Sequence, residues 1–267
     1  MRLFLAIALL ITSAVHGQKK IFELAKLDSA NFGKFIEDKK VIVVGEVHGT
    51  TEVPQFVLQL AKLLKKKTGQ VTIALEISSN YQADIDNFLE HGDFEKLKEL
   101  DYFKYPDGRT SVAVGELIKG LREIGGVRII CFDVEWGTAN TATRDSLMGL
   151  NLSKKYRNER MIVLTGNIHA NLMEGYWRSG FKSAIYYFKE INGLENNLIS
   201  LNTYFGGGTI WNCMQDGCKE RDAGGSPLGS EYDGLTKFIE IYGDKNTDGY
   251  SGFVYFNRVT VSKPLVQ

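Results

Sequence analysis

Two histidines and two glutamates stand where apolar segments of the sequence end. Each of them follows, directly or within a few residues, a short run of apolar or β-branched residues; the four are Glu46, His48, Glu76 and His169. A neutral imidazole that a carboxylate holds in place can take a proton from water, and the resulting hydroxide can attack an ester or a similar carbonyl. These residue types therefore predict hydrolysis by a histidine-activated water.

Neighbouring polar residues supply further groups for such a reaction. Glu46 or Glu76 can orient the imidazole, and Asn167 or His169 can donate a hydrogen bond to a developing oxyanion. The candidates for binding the substrate lie on the same strand-end segments and are Glu52, Asp133 and Asn167.

The same histidines and glutamates are equally a divalent-metal set, because imidazole and carboxylate are common ligands of zinc and manganese. The spacing Glu46-x-His48 differs from the helical H-E-x-x-H motif of zinc proteases. Spacing alone leaves metal-free and metal-assisted hydrolysis both open. The metal candidates are His48, His169, Glu46 and Glu76.

The apolar runs predict the sheet that must position these residues. Predicted strands lie at 41–44, 71–75, 127–132 and 161–164, and helical patterns follow at 54–67, 81–89, 112–124 and 141–156. Continuous apolar strands are expected to be buried on both faces, so this alternation predicts a three-layer α/β fold with a mostly parallel central sheet flanked by helices. Residues just past parallel strands should then meet at one sheet edge.

The pattern changes past about residue 180. The sequence predicts strands at 183–188, 198–205 and 253–261, a glycine turn at 206–208 and a polar loop at 219–233. The segment 237–242 fits a short helix or a strand. Because no Pro- or Ser-rich linker marks this boundary, we expect a single domain over residues 18–267, with these strands and loops as its C-terminal elaboration.

The first seventeen residues have the pattern of a signal peptide. Arg2 precedes an apolar run from Leu3 to Ile11, and small residues lead up to Gly17. The run is short for a membrane span, and no later stretch reaches spanning length. We therefore expect cleavage after Gly17, export to the periplasm or out of the cell, and no transmembrane segment in the mature protein.

The cysteines support different expectations. Cys213 and Cys218 flank a turn-like tetrapeptide, and in an oxidising compartment they can close a small disulfide; two free thiols are the alternative. Cys131 lies in a predicted apolar strand, where a small buried side chain is expected.

Composition and absent motifs exclude several function classes. The chain has 267 residues with 32 Lys and Arg against 32 Asp and Glu, so it lacks the positive surplus that attracts nucleic acid. It contains neither a G-x-S-x-G nucleophile elbow nor a G-x-x-x-x-G-K-[ST] phosphate loop. The expected partner is therefore a small molecule.

The string from Val43 to Glu52, with Glu76 after the second strand and Gly166-Asn167-Ile168-His169 after the fourth, resembles the erythromycin esterase / ChaN-like superfamily, which includes relatives of the Tiki/TraB type. The resemblance spans residues 41–169. Its esterase branch implies hydrolysis by a histidine-activated water, with His48 as general base and Glu46 and Glu76 in support.

Different branches of that superfamily share different parts of the motif. The Gly-Glu-x-His spacing looks more like the ChaN-like branch, which implies haem binding, whereas Gly49-Thr50-x-Glu52 looks more like the esterase branch. The Tiki type implies a divalent metal and proteolysis. Two hypotheses follow: an exported hydrolase of ester- or amide-type bonds, with or without a divalent metal, and a haem- or metal-binding envelope protein without catalysis.

Overall fold

The computed structural model describes residues 19–135, 137–140, 143–225, 228–243 and 248–266. The predicted signal peptide at 1–17 lies outside the described residues. Among the helices that are described, none has the length and apolar character needed to cross a lipid bilayer.

The fold is built on an eight-stranded sheet with a separate hairpin. In chain order the strands are β1 (Lys20–Glu23), β2 (Val41–Glu46), β3 (Val71–Ser78), β4 (Val127–Asp133), β5 (Met161–Gly166), β6 (Leu198–Phe205), β7 (Thr209–Met214), β8 (Gly217–Asp222), β9 (Lys237–Ile241) and β10 (Gly252–Phe256). Their order across the sheet is β1-β9-β10-β6-β2-β5-β3-β4, and β7 pairs with β8. Six of the strands, from β10 to β4, are parallel, and at one edge β9 pairs antiparallel with both β10 and β1. The mostly parallel sheet with additional C-terminal strands is confirmed.

Helices cover both faces of this sheet. They are α1 (Ser29–Ile36), α2 (Glu52–Thr68), α3 (Gln82–His91), α4 (Phe94–Lys98), α5 (Val112–Ile124), α6 (Arg144–Lys155), α7 (Asn167–Ala170) and α8 (Ala184–Asn192). Ile42 and Val44 of β2 pack in the core that α2 and α5 cover, whereas Val41 and Val43 pack beneath α6 and α8. Because successive side chains of a strand point to opposite faces, burial on both faces requires an uninterrupted apolar strand. The three-layer arrangement is confirmed.

The predicted strands and helices up to β5 all form, but their ends differ from the predicted ones. This difference changes which elements carry Glu46 and Glu76. Glu46 is the last residue of β2, and Glu76 lies inside β3, so both carboxylates come from strands and not from the predicted loops. His169 belongs to α7, a single helical turn directly after β5. Strands and a short helix hold a side chain more firmly than a long loop does.

The predicted strand at 183–188 is wrong, because this segment begins α8. The hydroxyl of Ser183 caps the helix by accepting from the Tyr186 N–H. Ile185 and Phe188 are both buried, at the i, i+3 spacing that places two side chains on the same face of a helix. The two tyrosines between them are residues that favour strands. Helical periodicity is the pattern that prevails here.

Three further C-terminal predictions are settled by the structure. The start of the predicted 219–233 loop belongs to strand β8, and the undecided segment 237–242 forms strand β9. The predicted strand at 253–261 leaves the sheet after Phe256. Beyond it, Val259 and Val261 form isolated bridges with the glycine turn and with Thr50.

The hairpin of β7 and β8 is fastened over the loop that follows β2. Cys213 and Cys218 lie opposite each other in the hairpin and form a disulfide. The Trp211 backbone N–H donates to the Gly49 carbonyl at 3.1 Å, and the indole N–H donates to the Pro106 carbonyl at 2.7 Å. Gly49 has φ +85°, and a Cβ there would lie 2.2 Å from the Trp211 carbonyl oxygen, so this contact requires glycine.

Candidate functional site

The carboxyl ends of the central strands bring the predicted chemical groups together. Glu46 ends β2, Glu76 lies near the end of β3, Asp133 ends β4, and His169 follows β5. All three carboxylate residues are buried. Charges buried to this degree need partners, and each carboxylate has them.

Glu46 and His48 form a hydrogen-bonded pair. The Nδ1 atom of His48 lies 2.8 Å from Oε1 of Glu46, and the His48 side chain is 27% exposed. Burial disfavours a charged ring, but the Glu46 carboxylate outweighs it, with help from Glu76, and raises the pKa of His48. Because Nδ1 donates to the carboxylate, the neutral ring keeps an unprotonated Nε2.

Both carboxylate oxygens of Glu76 accept hydrogen bonds. Its Oε2 accepts from the Thr165 hydroxyl at 2.6 Å and the Gly166 N–H at 2.7 Å, while Oε1 accepts from Arg144 at 2.9 Å. Burial opposes ionisation, but the cationic groups around the carboxyl hold the pKa of Glu76 well below its usual range. Glu76 is therefore a fixed negative charge and not a proton acceptor.

Arg144 joins Glu76 to two other residues of the site. Its Nε and Nη2 donate to the Asp133 carboxylate at 3.1 and 2.7 Å, and its Nη1 lies 2.9 Å from Nε2 of His169. The other ring nitrogen of His169 lies 2.7 Å from Oδ1 of Asp145. Since a guanidinium can only donate, Nε2 of His169 accepts and the ring proton sits on Nδ1.

This contact changes the role expected of His169. With Nε2 accepting from Arg144 and Nδ1 on Asp145, the ring has no free N–H to offer an oxyanion, so we do not assign His169 that role. Burial opposes a charged ring, yet the carboxylates of Glu76 and Asp145 outweigh it and raise the pKa of His169. His169 helps to orient Arg144, and it acts on the site through that residue.

A cavity of about 510 Å³ opens in front of His48. Its walls include Glu46, His48, Arg109, Asn167, His169 and Trp211. Arg109 donates to Asp107 at 2.9 and 2.6 Å and places its Nη1 3.9 Å from Oε1 of Glu76. A histidine base and a guanidinium therefore face the same space, with the hairpin as one wall.

Gly166 provides the room in which these groups meet. A Cβ at this position would lie 3.1 Å from Nε2 of His48, 3.4 Å from Cδ2 of His169 and 3.6 Å from Oε2 of Glu76. The backbone here has φ −56° and ψ 145°, which other residues adopt freely, so space and not conformation favours glycine. Both histidine rings accordingly approach the same Cα atom.

The expected substrate-binding residues separate into two groups. Asn167 lines the cavity, and its Oδ1 accepts from the Ile168 N–H. Asp133 is not part of that lining and accepts from Arg144. Glu52 is not brought to this cavity. It begins α2, and its carboxylate accepts from the Thr260 N–H at 2.8 Å on another part of the surface.

Sequence reasoning missed several residues of the site, namely Arg109, Asp107, Arg144, Asp145 and Thr165. Arg144 and Asp145 open α6, which follows β4, and a helix after a parallel strand starts near the same sheet edge. That position is a usable signal for them. Arg109 stands in a polar loop, and nothing in the local sequence marks it.

A divalent metal does not fit this group of side chains. A cation bound at Oε1 of Glu76 would meet the guanidinium groups of Arg144 and Arg109, which lie 2.9 and 3.9 Å from that oxygen. Across the residues that the structure describes, no three His, Cys, Asp or Glu side chains are grouped to hold a metal ion.

Comparisons with known proteins show the fold and not the family. No family model matches the sequence, and no curated protein matches it. A mutant of the erythromycin esterase EreC in its open conformation is similar in structure, with TM-score 0.69 and 10% identity over 91% of this chain and 98% of that one. A succinoglycan biosynthesis protein gives TM-score 0.63 and 12% identity over 87% and 91% of the two chains. A Bacillus cereus protein gives 0.59 and 12% over 89% and 92%.

These similarities show that the chain shares its fold with an erythromycin esterase. The ChaN-like and Tiki/TraB links stay predictions from the sequence.

Replacing Glu76 by Gln tests its role as the anion that holds the site. Each partner of the carboxylate is a donor, so the amide NH₂ of Gln would face another donor. We expect the free energy of unfolding at pH 7 to fall by about 3–5 kcal/mol in urea denaturation. Glu116→Gln, which changes an exposed ion pair with Lys119, is the control and should cost less than about 1 kcal/mol.

The pH dependence of stability gives a second readout for Glu76. Because its pKa is lowered in the folded state, its contribution is present above the ordinary glutamate pKa of about 4.3 and disappears as the pH falls through the lower folded value. The difference between wild type and Glu76→Gln should therefore shrink in acid. A difference that stays constant down to that range would contradict the assignment.

Proposed function

We propose that this protein is a hydrolase of ester- or amide-type bonds in which His48 activates water. The observation that carries the proposal is the pairing of Nδ1 of His48 with Glu46 at 2.8 Å, which leaves Nε2 as a base on a cavity that Arg109 also lines. The fold that the chain shares with an erythromycin esterase is consistent with it.

In the first step, Nε2 of His48 takes a proton from a water molecule while the water oxygen forms a bond to the substrate carbonyl carbon. The carbonyl π electrons move to oxygen, and the adjacent Glu46 carboxylate stabilises the imidazolium. In the second step the oxyanion re-forms the carbonyl, the bond to the leaving oxygen or nitrogen breaks, and His48 returns its proton to that atom.

Arg109 is the group that we assign to the developing oxyanion. It is a permanent cation on the cavity wall, and its bonds to Asp107 hold it in position. A charge fixed in advance at a partly dry site stabilises a transition state without reorganisation. Asn167, also on the wall, is assigned to substrate binding.

We also propose that the protein works outside the cytoplasm, in the periplasm or beyond the cell. The signal-peptide pattern of residues 1–17 supports this, and so does the Cys213–Cys218 disulfide, because such bonds persist mainly in oxidising compartments.

The base is tested by His48→Ala on a panel of activated esters and amides. Loss of the general base should lower kcat/KM by about 10²–10⁴-fold while circular dichroism shows the fold retained. His91→Ala, which alters an exposed histidine far along α3, is the matched control and should keep wild-type activity. Equal activity in both variants would eliminate His48 as the base.

The pH profile tests Glu46 as the partner of the base. The active form of His48 is neutral and its pKa is raised, so kcat/KM should be low in acid and rise as the pH passes that raised value. Glu46→Gln removes the main influence that raises the pKa, so the acid limb should move to lower pH and the plateau should fall. Glu90→Gln, at an exposed site, should leave the limb in place; a limb that Glu46→Gln does not move would contradict the pairing.

Gly166→Ala tests whether the space beside Nε2 is used. The added methyl would lie 3.1 Å from that nitrogen, where the reacting water must stand, so kcat/KM should fall about tenfold or more with the backbone unstrained. Gly33→Ala in α1 is the control, because its Cβ meets only the flexible end of Lys67 at 3.4 Å. Full activity in Gly166→Ala would place the reaction elsewhere.

A further inference from the structure

A second cavity, here named the tyrosine pocket, lies beside the His48 cavity. It is defined by Tyr81, Tyr102, Tyr105, Asp101, Asp133 and Glu135, and it shares Asp107 and Arg109 with the His48 cavity as a common wall. Its volume of about 270 Å³ is just under the range usual for a whole ligand, so it suits one substituent of a larger molecule.

Negative charge dominates the tyrosine pocket. The carboxylates of Asp101, Asp107, Asp133 and Glu135 line it together with the guanidinium of Arg109. Asp107 pairs with Arg109 and Asp133 pairs with Arg144, so Asp101 and Glu135 supply the excess negative charge of the pocket. Asp101 meets Lys104 in an exposed pair, and within the described ranges Glu135 forms no ion pair. An anion would therefore be repelled here and a cation attracted.

Aromatic rings provide the other attraction. The rings of Tyr81 and Tyr102 lie 5.8 Å apart between centroids, and the Tyr102 hydroxyl donates to the Glu76 carbonyl at 2.9 Å, which fixes that ring next to the catalytic network. The face of a tyrosine ring attracts ammonium groups through its quadrupole. Carboxylates and ring faces together select an organic cation over a neutral group of the same shape.

A buried hydroxyl without a hydrogen-bond partner belongs to the lining of the tyrosine pocket. Ser78, the last residue of β3, lines the pocket and is 6% exposed. Its Oγ is buried and has no hydrogen-bond partner among the residues described. Such a group is costly unless it is satisfied, and a protonated amine would supply the N–H that Ser78 can accept.

We propose that the tyrosine pocket binds a protonated alkylamine group carried by the molecule whose ester or amide bond lies at His48. The part of this statement that concerns the scissile bond rests on the proposed hydrolase function; the binding of the amine does not. The shared wall of Asp107 and Arg109 puts the charged group of the substrate one side chain away from the reacting carbonyl.

Binding is tested first, without catalysis. The probe is 2-(dimethylamino)ethanol, which is protonated at neutral pH, and its neutral isostere 3-methylbutan-1-ol is the comparison, both titrated into the full chain by calorimetry. We expect the amine to bind at least about fivefold tighter than the alcohol, and Glu135→Gln and Tyr81→Leu each to weaken it about fivefold. Glu90→Gln should bind it as wild type does. Equal binding of amine and alcohol, or an affinity that neither pocket variant changes, would overturn the proposal.

Hydrolysis is tested with the matched esters 2-(dimethylamino)ethyl acetate and 3-methylbutyl acetate. We expect kcat/KM to favour the cationic ester by about tenfold or more, and Glu135→Gln to reduce that preference, mainly through KM. If both esters are hydrolysed equally, the pocket does not select the substrate although the hydrolase stands. If the amine binds through the tyrosine pocket and neither ester nor an amide panel is hydrolysed, the proposed hydrolase fails while the amine site stands.

Discussion

The site depends on a buried carboxylate that is surrounded by donors. Glu76 sits inside a sheet strand, where an unpaired charge would be very unfavourable, and two donors from the next strand together with Arg144 offset that cost. Once Glu76 is ionised and fixed, Arg144 has one orientation that satisfies it. That orientation then determines what Asp133 and His169 can do.

The two histidines therefore have different chemistry although they occupy similar places in the sequence. His48 has one nitrogen on Glu46 and one toward the cavity, so it can exchange a proton with a bound molecule. His169 has both nitrogens engaged, by Asp145 and by Arg144, so it positions a cation. A carboxylate that accepts from one ring nitrogen leaves the other ring nitrogen free to take a proton. A donor such as Arg144 at that second nitrogen occupies its lone pair.

In the proposed function, the pocket that selects the substrate lies next to the base that activates water. Asp107 and Arg109 stand between the His48 cavity and the tyrosine pocket, and the hairpin of β7 and β8 closes the other side through Trp211. The fold itself is shared with an erythromycin esterase at 10% identity, and a fold by itself does not assign a function to its site.

By itself the sequence determined the parallel sheet, its helices and the sheet edge at which Glu46, His48, Glu76 and His169 meet, because strands buried on both faces must be continuously apolar and parallel strands end together. It misassigned the start of α8, where tyrosine composition masked helical spacing. Only the tertiary structure decided that Glu52 lies elsewhere and that Arg109 belongs to the site. Long polar side chains reach their partners across loops far apart in the chain, and no local periodicity records where such a side chain ends.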